Sequence, residues 1–292
     1  MNRSEGVSAE GSGMTGTSRR RGLGAERLLD LQRQLSARDL RLLELVAAHR
    51  FLTTRHIEQF LFHDHATQTS GARSCRRSLA RLESWQLVER PIRRVGGMQA
   101  GSASSIWMLA SPGHRLLNLR AGNGAVGRVR EPGERFIRHY LAIADTHLTL
   151  VTAERSSQLE LSTVEIEPLC WRSHVGLGGQ REVLKPDLFA VTAPRTDGLP
   201  AEFEDSWFIE VDRATESLPT VVKQCEQYEA YRRTGIEQDQ RGVFPLVLWV
   251  VPDERRATGL RTAIQRSKKL DTDLYRITTP EQFLAVILRG AA

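Results

Sequence analysis

The chain has 292 residues, 40% of them apolar and 26% charged, enough for a sizeable core and for two domains, which excludes a wholly disordered chain. Cys75, Cys170 and Cys225 lie far apart without a CxxC pair, against a disulfide frame or structural zinc and in keeping with a reducing cytosol; the longest strongly apolar run, Val243 to Val251, is too short to cross a bilayer. Charge is uneven: residues 36–120 carry 13 Arg against 6 acids, net +7, and residues 121–292 carry 22 Lys and Arg against 25 acids, net −3, so polyanion affinity is expected in the first part.

No secretory signal is visible, so a cytoplasmic protein without a membrane partner is expected. Residues 1–35 read as a disordered basic, Gly/Ser-rich tail whose Arg19-Arg20-Arg21 run reads as solvated, with phosphate contact the competing reading. Ser36-Ala-Arg-Asp39 resembles a capping box and opens a helix with Leu40, Leu43, Leu45 and Val46 on one side. Thr53 or Thr54 caps a second helix, and a third is predicted from about Thr69 to Trp85. At 100° per residue, Ala72, Cys75, Leu79 and Leu82 face inward, Arg73, Arg77 and Arg81 face outward, and Arg76 falls at the boundary.

Strand-like runs at 87–95 and 105–109 flank a Gly-rich tip, with Arg93 and Arg94 beside it. Three helices followed by a basic hairpin are the arrangement of a winged helix-turn-helix, expected over residues 36–120 with double-stranded DNA as partner. The DNA-binding candidates are Arg73, Arg77, Arg81, Arg93 and Arg94; a merely solvated Ser/Arg face is the competing reading. Residues 121–133 read as a Gly-rich linker.

Over 134–292 the pattern predicts a long amphipathic helix, strands near 159–166, 183–191 and 206–212, a helix at 218–233, a buried strand at 243–251, and an α-β-α extension. Residues 176–181 read as a turn between strands. His139 and His147 read as satisfied interior or boundary histidines, and Trp171, Trp207 and Trp249 as core. In Trp207 to Asp212 the odd positions are apolar and the even ones end in Glu210 and Asp212, so both carboxylates are expected on one strand face opposite a buried one. Asp187 follows Pro186 on an earlier strand. Three acids converging at strand ends repel one another unless a hard cation, a base or protonation offsets them, and Mg2+ favours such oxygen sites. An ordinary strand end, with Arg213 neutralising Asp212, is the competing reading.

The order α-β-β-β-α-β, with Pro186-Asp187 on one strand and Glu210-Val-Asp212 on the next, resembles the PD-(D/E)xK nuclease-like fold, a mixed sheet with flanking helices in an α/β domain. The resemblance implies that Asp187 and Glu210 hold Mg2+ or Mn2+ and activate water against a phosphodiester, aided by a lysine. Asp212 stands where that lysine belongs. Only four lysines occur against 37 arginines, and Lys223 and Lys185 are the two candidates to replace it. The metal candidates are Asp187, Glu210 and Asp212, with Lys223 joining them as catalytic candidate.

The whole chain is similar to the replication-relaxation family of actinobacterial plasmids and integrated mobile elements, through Lys185-Pro-Asp187, Glu210-Val-Asp-Arg-Ala-Thr-Glu216, and Lys223 with Tyr228 and Tyr231. That implies a DNA-associated role in replication, relaxation or transfer, with replication or transfer proteins as further partners and a homodimer as one expected state. The alternative class is a non-enzymatic winged-helix regulator of a mobile element that dimerises through its C-terminal domain.

Overall fold

The computed structural model describes residues 24–91, 105–121, 133–176, 178–196, 199–200 and 203–290. The first part of the chain comprises α1 (Ala25–Gln34), α2 (Ala37–His49), β1 (Leu52–Thr53), α3 (Thr54–Leu61), α4 (Gln68–Ser84), β2 (Val88–Glu89), β3 (Ile106–Leu109) and α5 (Ser111–Ala121). Each of α2, α3 and α4 opens on a reciprocal capping box, Ser36 with Asp39, Thr53 with His56, and Thr67 with Ser70. These caps satisfy amide donors that the first turn cannot pair internally. β3 is the middle strand of a small antiparallel sheet, with Leu52 opposite Trp107 and Val88 opposite Leu109.

Two differences from the sequence reading concern this part. Residues 25–34, expected within the tail, form α1, and Leu28 and Leu31 are buried in the same core as Leu42, Val46, Leu79 and Leu82. Burying each leucine stabilises by roughly 1.5–3 kcal/mol. The inward stripe of α4 begins at Gly71 rather than Ala72, because the helix lies so close to Phe62 that a Cβ at Gly71 would stand 2.5 Å from its carbonyl oxygen. The hairpin tip carrying Arg93 and Arg94 lies outside the described residues.

The long helix α6 (Glu134–Arg155) lies between the two parts. Ala144 and Leu148 enter the first core, while Ile137, Tyr140, Ile143 and Leu150 pack on the second, together with Phe51 from the segment between α2 and β1. Polar contacts follow the same seam. The His49 and His147 rings stack, with Nε2 of the first 3.0 Å from Nδ1 of the second, and His56 Nε2 lies 2.9 Å from Asp145 Oδ1. Arg155 donates to the Gln59 and Phe60 carbonyls at 2.6 and 2.7 Å, a cation at the end of α3 where the helix dipole favours one.

Beyond α6 come β4 (Leu159–Ile166), β5 (Arg172–Val175), β6 (Arg181–Leu184), β7 (Leu188–Thr196), β8 (Leu199–Pro200), β9 (Asp205–Val211), α7 (Leu218–Arg232), α8 (Ile236–Arg241), β10 (Leu246–Val250), α9 (Glu254–Arg266), β11 (Tyr275–Thr278) and α10 (Phe283–Arg289). The result is an α/β architecture with a mixed sheet in the order β11-β10-β9-β7-β4. β9, β10 and β11 run parallel, and β7 runs antiparallel to both of its neighbours. β5 and β6 form a separate hairpin closed by the expected turn, where Gly179 at φ +78° adopts a left-handed conformation suited to glycine.

The expected run at 183–191 is broken at Lys185-Pro186 into β6 and β7, since proline has no N–H to give to the ladder. β9 differs from its expected one-sided character. Trp207, Ile209 and Val211 pack toward α6 and α10, but Phe208 is equally buried on the other face, against Tyr228 and Trp249. A central strand covered by helices on both sides has no solvent face. Glu210 therefore leaves the strand at the edge of a second core.

Candidate functional site

The carboxyl ends of β9 and β10, the start of β7 and the first turns of α6 and α7 surround a cleft of about 550 Å³, lined among others by His139, Lys185, Asp187, Glu210, Asp212 and Gln224. Such a position, outside strand ends, is where open α/β sheets place ligands.

Asp187 is held from two sides. Its Oδ2 accepts from the Val211 amide at 2.7 Å, continuing the β7–β9 ladder past its last residue pair, and its Oδ1 lies 3.1 Å from His139 Nε2. Burial works to lower the His139 pKa, but its hydrogen bond to Asp187 and the charges of Asp187 and Glu167 outweigh it and raise the value. On the next strand, Glu210 Oε1 accepts from the Tyr228 hydroxyl at 2.5 Å. Burial, then the neighbouring Asp187 charge, push the Glu210 carboxyl well above the usual carboxylate range. Burial and Glu210 likewise raise the Tyr228 hydroxyl, so it stays a donor.

Asp212 behaves differently from its two companions. Its Oδ2 accepts from Arg256 Nε at 2.6 Å and its Oδ1 from the Ala214 amide at 2.8 Å, while another Arg256 nitrogen reaches the Glu216 carbonyl at 2.9 Å. The cation neutralising Asp212 is thus Arg256 from α9, not Arg213. The pair fastens the 213–216 loop, which turns through Ala214 at φ +52°. The Asp187 charge bears on Glu210, whereas the third acid is bound to a guanidinium. Among the described residues no three His, Cys, Asp or Glu side chains are grouped so as to hold a metal ion. Two carboxylates fit a hard cation that keeps most of its waters, as Mg2+ does, better than a fully protein-ligated one.

Lys223 is exposed and outside the cleft lining, whereas its neighbour Gln224 lines it, one turn before Tyr228 on the inward face of α7. Lys185 also lines the cleft, with its ammonium 4.8 Å from the centre of the Trp171 ring.

A family model described as replication-relaxation matches residues 43–247. The chain belongs to the replication-relaxation family. The match runs from α2 into β10 and so includes Asp187, Glu210, Asp212 and Tyr228. Membership points to a role in the replication of plasmid or mobile-element DNA. No curated protein and no solved structure matches the chain.

In this replication-relaxation protein the outward arginines of α4 divide into two kinds. Arg73, Arg76 and Arg77 are exposed and make no ion pair among the described residues. Arg81 donates to both oxygens of Asp39, at 2.6 and 2.7 Å, and the Asp39 carboxylate is buried as part of the α2 capping box. Arg81 ties α4 to α2 and presents less of its charge outward.

His139 is the site residue that the periodicity of α6 concealed: it reads there as one more boundary position. Its partner Asp187 is 48 residues away, and only the β7–β9 pairing beneath α6 brings the two together. Tyr228 was legible through the family motif, but its hydrogen bond to Glu210 was not. Tyr231, the motif's other tyrosine, donates at 2.8 Å to the buried Glu237 on α8, away from the cleft.

Proposed function

We propose that this replication-relaxation protein binds double-stranded DNA through a winged helix-turn-helix formed by α2, α3, α4 and the β1-β3-β2 sheet, and acts on it as a metal-dependent nuclease-like protein in plasmid or mobile-element replication. Three exposed arginines of α4, Arg73, Arg76 and Arg77, which make no ion pair among the described residues, support the DNA-binding half, since phosphate neutralisation dominates such affinity.

The observation that carries the catalytic half is the Asp187–Glu210 pair. Two acids share the floor of a cleft, and the second is pushed toward its protonated form by burial and then by the charge of the first. A divalent cation relieves that excess charge and supplies a Lewis acid and an activated water. Asp187 and Glu210 would hold the ion, while His139 and the Val211 amide orient Asp187 and Tyr228 orients Glu210. Lys185 is the ammonium of the cleft lining, and Gln224 is an amide able to align a water there.

Incubating supercoiled plasmid with Mg2+ or Mn2+ tests this reading. The wild-type chain is expected to give nicked or linear product and Asp187→Ala none. A wild-type chain that binds DNA but gives no product with either ion supports the second reading, a non-enzymatic regulator. The observation favouring that alternative is Asp212, an acid already neutralised by Arg256 where a PD-(D/E)xK enzyme has its lysine.

A further inference from the structure

We infer that Arg135, Lys185 and Arg213 form a phosphate clamp around the mouth of the Asp187–Glu210 cleft, gripping the sugar-phosphate backbone of DNA separately from the α4 arginines. The inference rests on the cleft reading above and extends it to where the substrate backbone lies. All three residues line the cleft and are exposed, yet they come from three places in the fold: the first turn of α6, the β6–β7 connection and the loop after β9. They therefore surround the mouth rather than forming a stripe along one helix.

The surrounding cations are committed elsewhere. Arg138 pairs with Glu134 at 2.7 Å, Arg172 lies between Glu165 and Glu237 at 2.9 Å from each, and Arg256 is bound to Asp212. Among the described residues, Arg135, Lys185 and Arg213 take part in no ion pair. Lys185 rests on the Trp171 ring, a contact that leaves its N–H donors free. Arg135 precedes Phe136, whose half-exposed ring meets Arg50 and Tyr140 at the edge of the cleft.

Depth separates the two signs of charge. Acids at the floor repel a phosphodiester and attract a cation, and basic groups at the rim do the reverse. Against the three rim cations stands one exposed acid of the lining, Glu216. A backbone held at the rim would place a phosphodiester over Asp187 and Glu210, the two acids that would hold a cation supplying electrostatic stabilisation there.

The test uses the full chain with EDTA, a fluorescein-labelled DNA duplex, and anisotropy titrations over a salt series, in a background of Arg73→Gln, Arg76→Gln and Arg77→Gln. The expected result is residual binding whose log-log salt slope falls by about three when Arg135→Gln, Lys185→Gln and Arg213→Gln are added. Lys185→Arg with Arg135→Lys and Arg213→Lys is expected to retain the slope. Circular dichroism checks that these exposed substitutions leave the fold intact. An unchanged slope, or a background chain that no longer binds at low salt, overturns the clamp. The α4 substitutions score the winged-helix reading separately: if they leave the affinity of the otherwise intact chain unaltered, that reading fails, while the clamp is still judged by its own three residues.

Discussion

Arg256 donates its Nε hydrogen to Asp212 across 2.6 Å, in a pair whose side chains are only 13% and 5% exposed. Removing one member of a pair this enclosed strands the other charge, which typically costs about 3–5 kcal/mol, whereas a surface pair contributes at most about 1 kcal/mol. Arg256→Ala is therefore expected to lower stability by about 3 kcal/mol, read as a reduced urea midpoint at unchanged m-value. Asp212→Asn, which retains an acceptor, is expected to cost less than half of that.

The α4 arginines give a prediction about separability. Arg81→Gln leaves the buried Asp39 carboxylate without its cation and is expected to lower the melting temperature while scarcely altering the salt slope of DNA binding. Arg73→Gln with Arg77→Gln is expected to do the opposite, reducing that slope by about two at an unchanged melting temperature. Paired melting and anisotropy curves on both variants check this, and equal effects on both readouts would contradict the division.

Stability should depend on pH through the stacked histidines of the α6 seam. Burial, then the Arg155 charge, lowers His147 from 6.5 to about 4, and burial followed by His147 lowers His49 well below its usual value. With folded-state values depressed, the unfolded chain binds more protons, so their contribution is present above pH 6.5 and lost as pH falls toward 4, by up to about 3 kcal/mol for His147. His139, raised by Asp187, has the opposite sign: its contribution is present below 6.5 and lost as pH rises through its folded value. Urea midpoints measured between pH 7.5 and 5 are expected to fall, and His147→Phe to flatten that fall; a midpoint that rises on acidification would refute the assignment.

Glu210 supplies a metal-linked prediction. Its raised folded pKa means that stability present below 4.5 is lost as pH rises through the folded value, because ionising this carboxyl beside Asp187 is costly. A cation bound between the two acids removes that cost, so excess Mg2+ should raise the melting temperature more at pH 8 than at pH 5. At a hundredfold excess over Kd the gain is about 2.7 kcal/mol. Glu210→Gln is expected to abolish the difference between the two pH values.

Much of the architecture was legible because local signals and burial agree. The Ser36 capping box, the Cys75–Leu79–Leu82 stripe and the run at 246–250 each specify one element regardless of the rest of the chain. α1 was missed because its three leucines, Leu28, Leu29 and Leu31, follow an uncapped Gly24, too short a signal against a glycine-rich flank. Of the candidate cleft, the position of the three acids was legible, since Asp187, Glu210 and Asp212 lie at strand ends. Their division was not, because it depends on Arg256 and His139, side chains 44 and 48 residues from their partners in sequence. Periodicity reports which face a residue occupies, and pairing across a sheet decides what it meets.

Since α6 gives Ala144 and Leu148 to one core and Ile137, Ile143 and Leu150 to the other, neither half can keep its interior closed without that helix. Severing the chain between residues 121 and 133 would tear apolar surface open on both fragments. The two cores thus share one structural member, and exchanging the first part of the fold for another would demand inheriting α6 with it.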